Sequence, residues 1–247
     1  MCASPADKIG IVTGFKDRLA AIEERIEQAC KRARRPREEV QLMAVSKAHP
    51  AEAILEAAEA GVILFGENRV QEFERKRPAL TDLSEPIEVH LIGHLQSNKS
   101  SKAAELFSAI DTLDSLRLAE RLNDAAERQN RRLPVLLEIK LSSEATKTGL
   151  DPAGRDLDEL LERMPDLSHL DLRGLMTVPP LDDNPETARS CFRKLRQTRD
   201  ELASRHSALD LSELSMGMSG DFEVAIEEGS TMVRIGTALF GAREIRT

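Results

Sequence analysis

Residues 214–241 read LSMGMSGDFEVAIEEGSTMVRIGTALFG, and this stretch sets the pattern for the rest of the chain. Two short apolar segments, Leu214–Met218 and Met232–Phe240, flank one helix-length segment, Asp221–Glu228. The first ends in Gly217-Met218-Ser219-Gly220, and the second contains Arg234-Ile235-Gly236-Thr237. Small residues therefore fall just past one strand and beside the middle of the next, as in strand–loop–helix–strand units. Ser219 is placed to cap the intervening helix, whose first turn has free backbone N–H groups. Gly236 and Thr237 add N–H groups and a hydroxyl with little side chain in the way. Read alone, these residues fit two descriptions: ordinary turn glycines with a helix cap, or a cup for a phosphate. Barrels of alternating strands and helices often hold a phosphate after their last two strands.

Outward from this stretch the same alternation runs back through the chain. A first helix is expected over Lys8–Ala33, where Val12, Phe15, Leu19, Ile22, Ile26, Ala29 and Ala33 recur at helical spacing. Apolar runs at Val40–Val45, Val62–Phe65, Ile87–Ile92, Ile110–Leu113, Val135–Leu141 and Leu170–Met176 read as strands, each followed by a helix-length segment. With the two C-terminal strands this makes eight strand–helix units. Strict alternation implies parallel strands, and eight units imply closure. The expected fold is an α/β single (β/α)8 TIM barrel with an extra N-terminal helix. Residues 1–247 contain no Gly/Ser linker or composition break and are expected to form one domain. Alternation alone also permits an open doubly wound sheet.

Composition limits the partners. With 35 basic and 43 acidic side chains the net charge is −8, against general nucleic-acid or membrane-surface binding. No apolar run reaches spanning length, no secretory signal pattern opens the chain, and the three cysteines show neither metal-ligand spacing nor a paired framework. A reducing cytoplasm is the expected compartment. Tyr is absent, so no reaction here uses a phenol as acid or base.

In a parallel barrel the residues after each strand face the ligand. Lys47 follows strand one, and a lysine there can be desolvated enough to free an amine for Schiff-base chemistry. A solvated lysine is the default reading unless the phosphate stretch accompanies it. Asn68, Gln96 and Asn98 suit helix caps or ligand contacts, with capping favoured. His90 and His94 lie on a strand and its loop rather than on one helical face, so no metal site is expected. Cys191 shares an apolar helix face with Ala188 and Leu195 and reads as core.

Several ordered motifs carry a resemblance. They are Ala44-Val45-Ser46-Lys47-x-x-Pro50, Phe65-Gly66-Glu67-Asn68-Arg69-Val70-Gln71-Glu72, and His90-Leu91-Ile92-Gly93-His94-Leu95-Gln96-Ser97-Asn98-Lys99. They continue through Glu144-Ala145-Thr146-Lys147-Thr148-Gly149, Arg173-Gly174-Leu175-Met176 and the C-terminal stretch. From the first helix to Gly241 the chain resembles the pyridoxal phosphate homeostasis proteins, relatives of the alanine racemase N-terminal barrel and of the fold type III group. The resemblance implies that Lys47 carries pyridoxal 5'-phosphate as an internal aldimine. Ser219, Gly236 and Thr237 would hold its phosphate, Arg234 would face the pyridine nitrogen, and Asn68 and Met176 complete the cofactor-binding set. Two positions depart from the pattern: His49 stands where many relatives have Lys, and Lys140 where many have Asn.

A guanidinium cannot protonate the ring nitrogen, which leaves the ring a poor electron sink. Racemases of this class use a Lys and a Tyr on opposite faces, and they append a β-domain for which this chain has no room. The resemblance therefore implies a carrier that buffers or delivers pyridoxal phosphate to apo-enzymes, with little or no catalysis and no catalytic residue assigned. It is expected to be a monomer or weak homodimer. Two alternatives stand beside it: a racemase-like enzyme using Lys147 or a histidine as second base, and a cofactor-free aldolase using Lys47.

Overall fold

A computed structural model describes residues 14–141, 148–180, 182 and 184–241. Eight strands form a closed barrel in chain order, with every neighbouring pair parallel. They are β1 (Gln41–Val45), β2 (Leu64–Glu67), β3 (Glu88–Leu91), β4 (Ala109–Leu113), β5 (Leu133–Glu138), β6 (Leu170–Met176), β7 (Glu213–Met218) and β8 (Met232–Ile235). The seam is the β1–β8 pair, in which Met43 registers with Arg234 and Ala44 with Ile235. Closure excludes the open sheet.

The outer helices are α1 (Phe15–Ala33), α2 (Ala51–Glu59), α3 (Val70–Lys76), α4 (Ser100–Leu106), α5 (Leu116–Arg128), α6 (Arg155–Arg163), α7 (Pro185–Arg205), α8 (Phe222–Glu227) and α9 (Thr237–Phe240). Each of the longer ones buries the face its sequence marks as apolar. In α5, Leu118, Ala119, Leu122, Ala125 and Ala126 are buried at helical spacing, and α6 does the same with Leu157, Leu160 and Leu161. Cys191 is buried with Ala188 and Leu195 on α7, as its spacing requires. Asn184 caps α7, accepting from the Glu186 N–H at 3.1 Å.

The N-terminal helix α1 is observed from Phe15; Lys8–Thr13, including Val12, lie outside the described residues. It packs across α8 and α9. Arg25 bonds Glu223 at 2.8 Å, Arg32 bonds Glu223 and Glu227 at 2.8 and 2.7 Å, and Phe15 meets Phe240 with ring centroids 5.4 Å apart.

Two local expectations are overturned. The apolar segment Met232–Phe240 is not one strand: β8 stops at Ile235, Gly236 turns the chain, and Thr237–Phe240 form α9. β8 is buried throughout and α9 continues the apolar run with Ala238, Leu239 and Phe240, so hydrophobicity alone does not mark the break. Gly236 and Thr237 thus follow the last strand instead of flanking its middle. Ser219 does not cap α8; the N-cap position is Asp221. The turn Met218–Asp221 closes on itself, with the Met218 N–H donating to Asp221 Oδ1 at 2.6 Å and the Asp221 N–H to the Met218 carbonyl at 3.1 Å. Gly217 enters that turn at φ +95°, and a Cβ there would lie 2.5 Å from the Ala225 Cβ.

Inside the barrel, Met43, Leu64 and Met232 pack together with Ile92 as an apolar cluster.

Candidate cofactor site at the strand ends

The C-terminal ends of the strands gather most residues singled out from sequence. Lys47 is half-buried two residues beyond β1. Its loop is braced from below by charges the sequence reading passed over. Lys76, on α3 and 8% exposed, donates to the Ser46 carbonyl at 3.1 Å, to Glu67 Oε1 at 2.7 Å and to Glu72 Oε1 at 2.8 Å. The Ser46 hydroxyl donates to the same Glu67 oxygen at 2.6 Å, and the Ala48 N–H donates to Glu72 at 2.6 Å. Burial pushes the Glu67 carboxyl up, against the pull of Lys76 and Ser46. Burial also opposes ionisation of Glu72, but the bonds from Lys76 and the Ala48 N–H outweigh it and hold that carboxyl below the usual range. Residues Ser46 and Ala48, on either side of Lys47, are both tied to this buried ion network. Ala48 sits at φ +62°, a conformation that costs a non-glycine residue about 1 kcal/mol or more.

Across the seam, Gly236 backs onto β1, and a Cβ there would make ordinary contact with the Val45 carbonyl oxygen at 3.4 Å. Thr237 is exposed and opens α9. The Ala238 N–H in the same turn donates to Ser219 Oγ at 3.4 Å, joining the β7 and β8 loops. That bond occupies the hydroxyl oxygen and leaves its proton to donate. Phe240 closes the turn between Phe15 on one side and His49 on the other, the His49 ring centroid lying 5.2 Å away. His49 therefore packs as an aromatic ring that ties the Lys47 loop to α9.

Arg234 is 4% exposed inside the barrel. Its Nη1 donates to Ser215 Oγ at 2.7 Å and its Nη2 to the Thr177 carbonyl at 2.8 Å. Burial pushes its pKa down, while Asp111, Asp221 and Glu138 pull it up. A guanidinium stays charged under such shifts, so Arg234 is a fixed cation with donors to spare.

The remaining residues divide. Met176 ends β6 with its side chain buried, and Asn68 is half-buried after β2. Asn68 does not cap α3, whose N-cap is Arg69, and Gln96 makes no side-chain cap bond; the expected capping is not found at either residue. The Asn68 loop instead abuts Gly93, where a Cβ would stand 2.2 Å from the Asn68 carbonyl oxygen, so only glycine fits. The two histidines face separate carboxylates: His90 Nδ1 lies 3.1 Å from Asp111, and His94 Nδ1 lies 3.2 Å from Asp114. Lys140 is half-buried just beyond β5. Lys147 and residues 144–146 of its motif lie outside the described residues. Sequence reading missed Glu138, at the end of β5. Its Oε1 accepts from the Thr148 hydroxyl at 3.1 Å, its Oε2 is buried with no partner among the described residues, and burial pushes its carboxyl up. A glutamate interrupting the apolar run Leu133–Leu141 was the available signal.

Residues 18–244 match the family model "Alanine racemase, N-terminal domain". The pyridoxal phosphate homeostasis protein of Aquifex aeolicus is 46% identical over 228 residues, 92% of this chain and 98% of that protein. The chain belongs to the pyridoxal phosphate homeostasis protein family. Among solved structures, PipY of Synechococcus elongatus with pyridoxal phosphate bound superposes with a TM-score of 0.81 at 43% identity, over 92% of this chain and 100% of that one. An alanine racemase from Clostridium difficile shares the fold at a TM-score of 0.69 and 18% identity; this chain spans 56% of its length. Homeostasis-family membership and the racemase likeness thus agree on one barrel.

Proposed function

We propose that this protein binds pyridoxal 5'-phosphate at the C-terminal mouth of the barrel and serves as a carrier in its homeostasis, with little or no catalysis. Relatives named for pyridoxal phosphate homeostasis and the PipY structure with the cofactor bound support this reading. The residues present fit such a group. Ser219 keeps a free hydroxyl proton for an anion, Gly236 brings no side chain to the loop beside Val45, and Arg234 offers a buried donor to an unprotonated ring nitrogen. Bound pyridoxal phosphate supplies an electrophilic aldehyde carbon and a ring that accepts electrons only as far as its nitrogen is protonated.

In this assignment Lys47 supplies the amine for covalent attachment, on a loop held by Lys76 and Glu72. Ser219, Gly236 and Thr237 hold the phosphate, and Asn68 and Met176 line the ring. The observation that carries the carrier reading is Arg234. Its guanidinium is locked by Ser215 and Thr177, and it donates a hydrogen bond without surrendering a proton to the ring. With no tyrosine in the chain, a phenolic acid to complete a two-base racemisation is also missing.

We assign residues 1–247 to one cofactor-binding domain, acting in the cytoplasm as a monomer or weak homodimer with pyridoxal phosphate-requiring apo-enzymes as recipients. No helix among the described residues is long and apolar enough to cross a membrane. Two measurements test the reading. Loaded protein mixed with an apo-enzyme is expected to restore its activity. Proton NMR of alanine in deuterium oxide is expected to show negligible α-proton loss with catalytic amounts of protein; rapid loss dependent on Lys47 would make this an enzyme.

A further inference from the structure

A second polar chamber lies at the other end of the barrel. A cavity of about 610 Å³ opens among the first residues of the strands, including Gln41, Glu88, Ala109, Glu213 and Met232. Met232, in its lining, packs with Met43, Leu64 and Ile92 inside the barrel. Its volume falls within the range of small-molecule sites, about 300–1,000 Å³.

Each arginine of the lining is paired with a carbonyl or with Asp171, whereas one buried carboxylate oxygen has no partner among the described residues. The Arg131 guanidinium is bonded to the carbonyls of Ala104, Phe107 and Ser108 at 3.1, 3.2 and 3.0 Å. Arg173 and Arg132 are both paired with Asp171, at 2.6 and 3.5 Å. His90 is engaged by Asp111 at 3.1 Å and by Glu88 at 3.9 Å. Against these, Asp111 is fully buried, lines the cavity, and has an Oδ2 with no hydrogen-bond partner among the described residues. Glu213, half-buried at the start of β7, lines the same cavity; burial pushes its carboxyl up and Asp111 adds to this, while His90 and Arg173 pull it down. A buried acceptor without a donor costs about 1–3 kcal/mol, which a ligand N–H removes, and a charged donor does so more strongly than a neutral one.

We propose that this cavity binds a small organic cation of the guanidinium or ammonium class, whose N–H groups donate to Asp111 Oδ2 and to the Glu213 carboxylate. The site is separate from the pyridoxal phosphate site and does not depend on it.

The test is isothermal titration of the full chain with n-propylguanidinium, which has no primary amine to condense with an aldehyde. The uncharged n-propylurea and the anion butyrate serve as isosteric controls. Saturable binding of the guanidinium is expected, at least tenfold tighter than either control and unchanged by saturating pyridoxal phosphate. Glu213→Gln, at a half-buried position that need not disturb the fold, is expected to weaken it at least tenfold, as is Asp111→Asn if that variant folds. The proposal is overturned by equal binding of propylurea, by Glu213→Gln retaining full affinity, by competition with pyridoxal phosphate, or by no saturation up to about 10 mM.

Discussion

The two ends of this barrel pair their buried charges with different partners. At the C-terminal mouth, charge is paired into a scaffold: Lys76 joins Ser46, Glu67 and Glu72, and Arg234 is locked between Ser215 and Thr177. Lys47, the Ser219 hydroxyl and the side-chain-free Gly236 lie at the same mouth, and Glu138 Oε2 is buried there with no partner among the described residues. At the N-terminal end the arginines pair with carbonyls and with Asp171, while Asp111 Oδ2 has no partner among the described residues. In the assignments proposed above, the first end grips an anionic aldehyde and the second accepts a donor. Met43, Leu64 and Met232 pack together inside the barrel.

The sharpest way to break this contrast is at Lys47. Lys47→Ala is expected to abolish borohydride-trapped cofactor, read by mass spectrometry, with the melting temperature nearly unchanged because a half-buried strand-end lysine contributes little to the core. A trapped label on Lys99 or Lys140 in the parent protein would move the attachment point elsewhere.

Next comes the scaffold. Lys76→Met leaves Glu67 buried without its cation and is expected to cost about 3–5 kcal/mol in denaturant unfolding. Cofactor trapping at Lys47 should slow in parallel, since Ser46 and Ala48 lose their anchors. Unchanged stability would mean that the Lys76 network is solvated rather than structural.

The third test is pH at the opposite end. Burial alone would lower the His90 pKa, but Asp111 and Glu88 outweigh it and raise it from 6.5 to about 10. A folded-state pKa above the unfolded one means that the protonated ring stabilises the fold. That stability is fully present below about 6.5 and is lost as pH rises through about 10. Unfolding free energy should therefore fall across this window, and His90→Gln should flatten the slope.

The smallest effect belongs to the cup. Ser219→Ala should weaken pyridoxal phosphate binding about tenfold, roughly 1.4 kcal/mol. Because Ser219 does not cap α8, stability should shift by less than about 0.5 kcal/mol. Equal affinity for pyridoxal and its phosphate would show that these loops hold no phosphate.

How much of this was legible in the sequence depends on the range of the interaction. The strands were readable because each is a short apolar run bounded by helix-length segments, and α5, α6 and α7 because their buried residues recur at helical spacing. Lys47 and Ser219 were readable as polar residues just after strands, and Gly236 and Thr237 as small residues, though placed beside the middle of the last strand rather than after it. The Lys76 brace was not: Lys76 meets Ser46 across 30 positions, and nothing in a helix-face lysine announces burial. His90 and Asp111 are 21 residues apart and meet only because β3 and β4 are neighbours. The Ser219 cap failed because Asp221, two residues on, took the turn, a choice settled by geometry within the loop. The break at Gly236 was hidden because β8 and α9 are both apolar.

The seam between β1 and β8 fixes when the site can exist. Lys47 precedes Arg234, Gly236 and Thr237 in the chain, and β1 completes its pairing only against β8. On the ribosome, a chain that has reached α7 already carries the lysine but not yet β8 or the residues after it. A copy truncated before β8 would leave β1 as an open edge. In the proposed assignment, cofactor capture therefore waits until β8 has been made.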